Sequence, residues 1–370
     1  MKFIDLFAGI GGFHLAFHQV GGDCVFASEI DTHARQTYEA NFKSISPTLF
    51  EDGFFAGDIT QVDYTSIPDF DVLCAGFPCQ PFSICGQQKG FEDTRGTLFF
   101  NICQIIQIKK PPVIFLENVK HLVHHDNGKT LNTILESLED LGYFVRFKVL
   151  NAIHFNTPQN RERIIIIATK DKPFDFNKIW YHPQKVAMKD FLDTEGDFDF
   201  LEKAEYTLLE KVTQQSSGLI FAGYRNKNIR INGTRPNTEH LSRVHKQPNR
   251  IYSIQGTHPT LPSQEVSGRF FIYDDRIDAV RRLTIRECYR FMGYSEAFGI
   301  HSSKSEAYKQ IGNSVCIPMI QAVADAIKSQ FFEIKDIPHD NVKPFGNFTT
   351  RIRQQSLFEQ SSQRSNSKLG

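Results

Sequence analysis

The sequence predicts an α/β protein with an open sheet and a second, smaller and irregular domain. Three observations support this fold class. Short apolar runs alternate with helical stretches up to about residue 170. The helical periodicity weakens from about 174 to 280, where Gly, Asn, Pro and Arg increase, and it returns near the C-terminus. The chain has 370 residues, of which 40% are hydrophobic, so it is long enough to bury a sizeable core.

Two helices and six strands can be predicted from the pattern. Apolar residues recur at helical spacing in 130–143, where Gly142 is placed to end the helix, and again behind Pro318. The apolar runs predicted to be strands are 2–6, 24–27, 71–75, 112–116, 144–150 and 164–168. We therefore predict a first domain of residues 1–173 completed by 304–332, a second domain with its hinge in 174–303, and a polar tail in 333–370.

Composition excludes several classes of protein. No run reaches about 18 apolar residues, so no membrane span is predicted. Asp5 and His14 interrupt the apolar N-terminus, which argues against a signal peptide, and a cytoplasmic chain that begins at Met1 is predicted. The seven cysteines are an odd number without paired C-x-x-C spacing, so reduced thiols and no metal site are expected.

The net charge is zero, but its distribution is uneven. Residues 216–256 contain a single acid, Glu239, and seven basic residues: Arg225, Lys227, Arg230, Arg235, Arg243, Lys246 and Arg250. A segment of this kind predicts either a surface for nucleic acid or an ordinary solvated face, and the charge pattern alone leaves both open.

A glycine-rich turn, DLFAGIGGF at 5–13, follows the first strand. In the register of Gly9 and Gly11, the third glycine of the dinucleotide fingerprint would fall on His14, so that fingerprint fails. Glu29 ends the second strand, where an acid can accept hydrogen bonds from ribose hydroxyls, and Asp58 could accept from an exocyclic amine. The pattern favours an adenosine-containing cofactor; a tight turn without a ligand is the alternative.

The segment FPCQPFS at 77–83 places Cys79 between two prolines at the end of a predicted strand. Open α/β sheets bind ligands at that edge, and the prolines restrict the direction from which the thiol approaches. The next strand ends in Glu117, where burial would raise the pKa of the carboxyl group and make it an acid. Cys79 is therefore a candidate nucleophile and Glu117 a candidate general acid.

Nine segments in this order resemble the cytosine-5 DNA methyltransferase family, in particular its prokaryotic restriction-modification members. They are DLFAGIGGF, Glu29, GDIT at 57–60, GFPCQPFS at 76–83, GTLFF at 96–100, ENV at 117–119, QNRER at 159–163, RRLTIRECYRFMG at 281–293 and GNSV at 312–315. The resemblance implies a seven-stranded Rossmann-like sheet with a target-recognition domain. It also implies methyl transfer from S-adenosylmethionine, without a metal, to carbon 5 of a flipped-out cytosine in a specific duplex DNA sequence. A monomer is expected.

The same resemblance implies roles for individual residues. Cys79 would add to carbon 6, Glu117 would protonate ring nitrogen 3, and Arg163 would bind oxygen 2, with Arg161 and Gln159 in support. Ile30 departs from the aromatic residue of many members, which implies weaker stacking on adenine. The cofactor site would comprise Phe7, Gly9, Gly11, Glu29, Ile30, Asp58, Ile59, Pro78, Leu98, Asn313 and Val315.

DNA contacts follow from the resemblance as well. A catalytic loop at about 80–98 would close over the DNA, and Gln247 would occupy the space that the flipped base leaves. Cys85 departs from a serine common in this loop, either neutrally or as a redox liability. The expected DNA-binding residues are Gln80, Ser83, Cys85, Arg225, Arg230, Arg235, Arg243, Gln247, Arg250 and Thr260.

Three other functions are alternatives to this one. An RNA methyltransferase of the family would have a much reduced recognition region, whereas roughly a hundred residues precede 281 here. A catalytically dead DNA-binding regulator would be expected to lack Cys79 or Glu117. A nicotinamide-dependent dehydrogenase is opposed by His14 and leaves Cys79 unexplained. In the tail, Gln354 to Phe358 (QQSLF) resembles peptides that dock on sliding clamps, with a chance match as the alternative.

Overall fold

The structure is a computed structural model that describes residues 1–78, 98–226, 240–263 and 271–333. The first half of the chain forms β1 (Lys2–Leu6), α1 (Gly12–Gln19), β2 (Asp23–Ser28), α2 (Thr32–Phe42), α3 (Pro47–Glu51), β3 (Phe55–Ala56), β4 (Val72–Ala75), α4 (Leu98–Lys109), β5 (Val113–Val119), α5 (Lys129–Asp140), β6 (Phe144–Asn151), β7 (Gln159–Asn160) and β8 (Glu162–Thr169). The second half forms β9 (Tyr206–Leu208), β10 (Phe221–Arg225), β11 (Arg250–Ser253), β12 (His258–Pro259), β13 (Phe271–Asp274), β14 (Ala279–Arg282), α6 (Ile285–Phe291), α7 (Lys304–Asn313) and α8 (Ile317–Phe331).

The larger sheet of the described chain has seven strands in the order β3-β2-β1-β4-β5-β8-β6. All neighbours are parallel except β8, which runs antiparallel to both β5 and β6. The strand order reverses between β1 and β4, so the carboxyl ends of these two strands flank the crevice where open α/β sheets bind ligands. The predicted α/β class and all six predicted strands are confirmed.

The central strands are buried on both faces, which explains why their sequences are continuously apolar rather than alternating. Side chains such as Phe3, Val72 and Phe115 contribute to one apolar cluster, and their neighbours Ile4 and Leu73 contribute to another. This alternation with a period of two distributes each strand between the two clusters. The sheet therefore holds its functional edge on a rigid, packed base.

The two predicted helices are present. In α5, Leu131, Ile134 and Leu138 are fully buried, and Gly142 follows the helix with a φ of +88°, a conformation that favours glycine. Helix α8 carries Pro318 in its first turn and packs against α1. The C-terminal segment thus returns to the helix that follows the first strand.

The smaller sheet has five described strands in the order β14-β13-β11-β10-β9. Its own apolar cluster is small, and a buried ion network supports it. Arg281 is fully buried; its Nη2 lies 2.9 Å from Glu287 Oε1 and its Nε lies 3.3 Å from Asp274 Oδ2. Glu287 Oε2 also accepts the Thr284 N–H at 2.8 Å at the start of α6. The end of the smaller sheet is thus held partly by buried charges rather than by apolar side chains alone.

The boundary between the two domains stays a prediction. Asn41 of α2 makes two hydrogen bonds with the backbone of Gly299, at 2.7 and 3.0 Å, so residue 299 already contacts the helices of the larger sheet. In the described parts of the chain, no helix is both long and apolar enough to cross a membrane.

Candidate active site

A cavity of about 580 Å³ lies at the carboxyl edge of the larger sheet. Its wall comes from the loop after β1, the ends of β2, β4 and β5, the segment 260–263, and the end of α7. Segments far apart in sequence therefore meet where the strand order reverses. The predicted cofactor residues line this cavity, with the exception of Gly11 and Val315.

The loop after β1 has a left-handed backbone at Phe7, Gly9 and Gly11. Gly11 precedes α1, and a β-carbon there would lie 2.2 Å from the Phe42 ring, so packing requires glycine. Val315 packs behind the loop, because its Cγ2 lies 2.5 Å from where a Gly12 β-carbon would be. These two predicted cofactor residues support the loop rather than line the cavity.

His14 occupies the position of the missing third glycine. Its ring is fully buried, stacks on Phe42 at 4.0 Å and hydrogen-bonds Tyr38 Oη at 2.6 Å and Ser46 Oγ at 3.1 Å. Burial lowers the pKa of His14 to about 3, so the imidazole is neutral at physiological pH. His14 is part of the core beneath the loop. Packing therefore explains why this position has a histidine instead of the third glycine of the dinucleotide fingerprint.

The carboxylate of Glu29 is held by two backbone amides. Its Oε2 accepts the Gly9 N–H at 2.7 Å and its Oε1 accepts the Asp31 N–H at 2.8 Å. Asp31 in turn caps α2 and pairs with Lys309 Nζ at 2.6 Å. Each Glu29 oxygen keeps further acceptor capacity, so the group suits the ribose hydroxyls that the sequence predicts here.

Asp58 and Ile30 lie at the predicted adenine end of the cavity. Asp58 Oδ1 accepts hydrogen bonds from Thr60 N and Thr60 Oγ1 at 2.9 and 2.8 Å, which orders this turn. Ile30 is 69% exposed at the rim of the cavity, where a bound base would cover it.

Sequence reasoning missed part of the wall. Ser28 and Gln310 line the cavity as buried polar residues, and Leu261, Pro262 and Ser263 form one side. The sequence did contain one sign of this wall, the glycine of GNSV. A β-carbon at Gly312 would lie 2.0 Å from the Pro262 carbonyl oxygen. That glycine permits the close approach of two backbones, and its partner could not be identified from the sequence.

Glu117 and Arg163 meet at the edge of the cavity. Arg163 Nε lies 3.0 Å from Glu117 Oε1, and both side chains are about nine-tenths buried. The antiparallel pairing places Arg163 opposite Val119 and so beside Glu117. Burial raises the pKa of Glu117, and the positive charges of Arg163 and Arg161 oppose that increase. A protonated carboxyl group at this position can act as an acid.

The segment before Cys79 is anchored to the same strand. Asn118 Nδ2 donates to the Phe77 carbonyl at 2.9 Å, and a β-carbon at Gly76 would lie 3.7 Å from Glu117 Oε2. Pro78 lines the cavity. The predicted residues Cys79, Gln80, Ser83 and Cys85 lie outside the described residues, so their roles stay predictions from the sequence.

Arg161 contacts backbone atoms of two distant segments. Its guanidinium is buried and donates to the carbonyl oxygens of Leu261 at 3.2 Å, Gly312 at 3.0 Å and Ser314 at 2.6 Å. Burial lowers the pKa of Arg161 to about 9, which still leaves the group protonated at neutral pH. Arg161 therefore joins the strand that carries Arg163 to both the 260–263 segment and the end of α7. Its contacts suit a positioning residue.

We expect Arg161→Met to lower the free energy of unfolding by about 3 kcal/mol, because three buried carbonyls lose their donor and each such loss costs about 1–3 kcal/mol before relaxation. Urea unfolding measures the change. Arg146→Met is the control, since that half-buried side chain donates to the Val145 carbonyl alone among the described contacts. Equal losses for the two variants would contradict the positioning role.

The predicted DNA-binding residues are not equivalent. Arg225 is only 9% exposed and lies over the Phe271 ring at 5.3 Å, which suits a packing role. Arg243 is exposed, and Arg250 Nη1 donates to Gln247 Oε1 at 2.9 Å. Thr260 lines the cavity and donates to the Asn160 carbonyl at 2.8 Å. Arg230 and Arg235 lie outside the described residues.

The wall fits S-adenosylmethionine, which the sequence resemblance implies. The Ser28 hydroxyl is buried in the wall without a hydrogen-bond partner among the described residues, so a bound polar ligand could satisfy it. Glu29 would accept from ribose, Asp58 and Ile59 would contact adenine, and Gly9 lets the ligand approach the backbone. Within the described part of the chain, no cluster of three His, Cys, Asp or Glu side chains could hold a metal ion.

Comparisons with known proteins identify the family. The profile of the C-5 cytosine-specific DNA methylase family matches residues 1–329. The type II methyltransferase M.HhaI of Haemophilus parahaemolyticus is 40% identical over 348 residues, which cover 89% of this chain and 94% of that protein. The type II methyltransferase M.NlaX of Neisseria lactamica is 39% identical over 345 residues, covering 90% and 98%.

A solved structure shares the fold. The Dnmt2 methyltransferase of S. pombe superimposes with a TM-score of 0.62 at 19% identity, covering 89% of this chain and 98% of that one. The fold, the family profile and the two relatives agree with the segments first seen in the sequence. The chain therefore belongs to the C-5 cytosine-specific DNA methylase family and is a DNA cytosine-5 methyltransferase that uses S-adenosylmethionine.

Proposed function

We propose that the chain methylates carbon 5 of a flipped-out cytosine in a specific duplex DNA sequence through a covalent adduct with Cys79, as the modification enzyme of a restriction-modification system. The observation that carries this proposal is the buried ion pair of Glu117 and Arg163 beside the anchored 76–78 segment, at the edge of the cavity. The acid Glu117, the cation Arg163 and Pro78, the residue before the predicted nucleophile, lie together there.

Carbon 5 of cytosine is a poor nucleophile, so the ring must first gain electron density. The Cys79 thiolate adds to carbon 6 while Glu117 transfers its proton to ring nitrogen 3, so the carbon 5–carbon 6 bond becomes single and a carbon 4–carbon 5 double bond forms as an enamine. When bound, the cofactor would supply a methyl group made electrophilic by its sulfonium; carbon 5 would take that group and S-adenosylhomocysteine would be the leaving group. A base then removes the carbon 5 proton, the double bond re-forms, nitrogen 3 returns its proton, and the sulfur leaves with its bonding electrons.

Arg163 suits the contact with cytosine oxygen 2. Its Nε pairs with Glu117 and its Nη1 donates to the Glu162 carbonyl at 2.8 Å, which leaves Nη2 without a partner in the described structure. One guanidinium would thus orient the acid and donate to the base at the same time. Flipping the base costs a few kcal/mol of unstacking, which contacts of this kind help to offset.

Transfer of a radiolabelled methyl group tests the proposal and its closest rival. We expect label from S-adenosylmethionine in duplex DNA and none in transfer RNA, because the chain has a five-stranded second sheet where RNA-directed members have a reduced region. Bisulfite sequencing of methylated plasmid then identifies the target cytosine. Label in transfer RNA alone would contradict DNA as the substrate.

The relatives named above are type II methyltransferases, which supports the proposed role in restriction-modification. Such an enzyme acts on genomic DNA, so we propose a cytoplasmic location; the monomeric state stays a prediction from the sequence. Plasmid from cells that express the chain is expected to resist a restriction nuclease specific for the sequence found by bisulfite sequencing.

Two arginines of the basic segment should respond differently to substitution. Arg243→Ala is expected to weaken DNA binding for all sequences and to reduce the salt slope by about 1, because this exposed side chain can bind phosphate. Arg225→Ala, the buried control, should lower stability and leave the salt slope unchanged. Fluorescence anisotropy at several salt concentrations measures both; an unchanged slope for Arg243→Ala would assign that arginine to a solvated face.

The contact of Gln354 to Phe358 with a sliding clamp is proposed from the sequence alone, because the tail lies outside the described residues. A short peptide can order on contact with a groove at modest affinity, and tethering to replication would bring the enzyme to new DNA. Titration of a peptide of residues 349–362 with clamp protein decides between this proposal and a chance match.

A further inference from the structure

Gln310 is a buried polar side chain in the cavity wall to which neither the sequence nor the family profile assigns a role. It lies on α7, is 6% exposed and lines the cavity. Its Oε1 lies 3.1 Å from the Thr37 hydroxyl of α2, which also lies 3.2 Å from the His33 carbonyl and has one proton for the two acceptors, whereas its Nε2 has no hydrogen-bond partner among the described residues. A buried amide nitrogen without an acceptor is uncommon in native proteins and needs an explanation.

The amide is held in place by its neighbours on both helices. Thr37 is 4% exposed, so the bond to Oε1 is shielded from water. The pair Asp31–Lys309 at 2.6 Å joins the start of α2 to α7, and the bonds between Asn41 and Gly299 join the end of α2 to the loop before α7. A side chain fixed between two packed helices cannot turn away to find another acceptor, so its donors remain directed by the fold.

The ligand must supply an acceptor. S-adenosylmethionine offers adenine nitrogens, ribose oxygens and one carboxylate; its ammonium group and sulfonium are cationic and cannot accept. Asp58 and Glu29 line the predicted adenine and ribose positions, and Gln310 shares its part of the wall with Lys309, Gly312 and Asn313 of the same helix. The carboxylate is the strongest acceptor that remains, and a donor to a charged oxygen makes a stronger bond than a neutral pair does.

A neutral amide also suits the charge of this ligand. The cofactor carries two positive groups close to its carboxylate, so a lysine at this position would attract one group and repel the others. Lys309, the adjacent cation, is already engaged by Asp31 at 2.6 Å and by Glu306 at 3.4 Å. An amide donates hydrogen bonds without adding charge.

We propose that Gln310 is a cofactor-positioning residue whose Nε2 donates to the carboxylate of S-adenosylmethionine and thereby fixes the amino-acid end of the cofactor against α7. This inference rests on the cofactor site of the proposed function. The bond from Thr37 orients the amide, and the cofactor completes a polar chain that links α2, α7 and the ligand.

Calorimetric titration tests the proposal without any turnover. Gln310→Met keeps the size of the side chain and removes the donor. It is expected to weaken the binding of S-adenosylhomocysteine by about 10- to 100-fold, the usual range for a bond to a charged group. With decarboxylated S-adenosylhomocysteine, the variant and the unmodified protein should differ by less than about 3-fold, because the acceptor is gone from both complexes.

Two further arms make the result specific. Deaminated S-adenosylhomocysteine should retain the full effect of Gln310→Met, since it keeps the carboxylate. Gln310→Glu places a negative charge there and should weaken S-adenosylhomocysteine more than Gln310→Met does, with recovery on the decarboxylated ligand. Gln321→Met, on the half-buried face of α8 and not in the cavity wall, is the matched control and should bind all three ligands normally.

The possible results distinguish a failure of the Gln310 role from a failure of the proposed cofactor site. Equal losses on S-adenosylhomocysteine and its decarboxylated form would overturn the proposal and make Gln310 a packing residue. An effect that disappears with the deaminated ligand would overturn it too, because the amide oxygen would then hold the ammonium group. Failure of the unmodified protein to bind S-adenosylhomocysteine would overturn both the inference and the cofactor assignment. Thermal unfolding of each variant confirms that folded protein is compared.

Discussion

Cys79→Ser is expected to abolish methyl transfer while leaving S-adenosylhomocysteine binding largely unchanged. A hydroxyl is close to a thiol in size but is a far weaker nucleophile at neutral pH, so addition to carbon 6 should fail although the site still assembles. Methyl incorporation into duplex DNA measures the first effect, and calorimetric titration measures the second. Apart from residues 76–78, the described cofactor wall comes from other segments, which is why binding should persist.

Duplex DNA that contains 5-fluorocytosine makes this test decisive. Fluorine cannot leave as a proton does, so the unmodified enzyme should remain bonded to the DNA after methyl transfer, and Cys79→Ser should form no such adduct. Cys103→Ala is the matched control. That cysteine is buried in α4, where burial raises the pKa of its thiol, so its removal should leave the adduct intact. An adduct with Cys79→Ser would exclude Cys79 as the nucleophile.

Glu117→Gln is expected to slow turnover by about 10²- to 10⁴-fold, the range typical of a lost general acid, while DNA affinity changes by no more than a few-fold. Glutamine keeps the shape and can still contact Arg163, but it has no proton to transfer to ring nitrogen 3. Single-turnover kinetics measures the rate, and anisotropy measures the affinity. Glu162→Gln is the control, because that half-exposed neighbour pairs with Lys120 at 2.9 Å outside the cavity wall.

The pH dependence has a defined sign. Burial raises the pKa of Glu117, with Arg163 and Arg161 opposing, so the protonated acid persists to higher pH than in a free glutamic acid. As pH rises through that raised pKa, the carboxyl ionises and the rate falls. The enzyme should therefore show an alkaline limb that Glu117→Gln lacks. A variant with an unchanged rate, or with the same alkaline limb, would assign the acid to another residue.

The local sequence pattern was sufficient to predict those parts of the fold that depend on residues adjacent in the chain. The central strands β4 and β5 are continuous apolar runs because both of their faces are buried, and α5 carries its apolar residues at helical spacing with Gly142 after its end. Glu29 and Glu117 could be located because they end or nearly end such runs. Carboxyl ends of parallel strands meet at one edge, so these positions predicted a site before any contact was known.

Packing over long distances decided the rest. The sequence predicted β8 as a strand, but only the tertiary structure inserts it antiparallel between β5 and β6 and so brings Arg163, 46 residues later, to Glu117. The sequence pattern also could not predict which basic residues are buried. Arg225 packs on Phe271, while Arg243 in the same basic segment is exposed. Charge is a local property of a sequence, and exposure is not.

By itself the sequence determined the α/β class, the strand ends that form the site, and the segments that identify the family, because each depends on residues adjacent in the chain. The tertiary structure alone decided that Gly11 must accommodate Phe42, that Gly312 must accommodate Pro262, and that the Arg161 guanidinium holds carbonyls 100 to 153 residues away. The physical reason is the same in each case. A steric limit or a buried hydrogen bond depends on which atom arrives from a distant segment, and that is specified only when the whole core is packed.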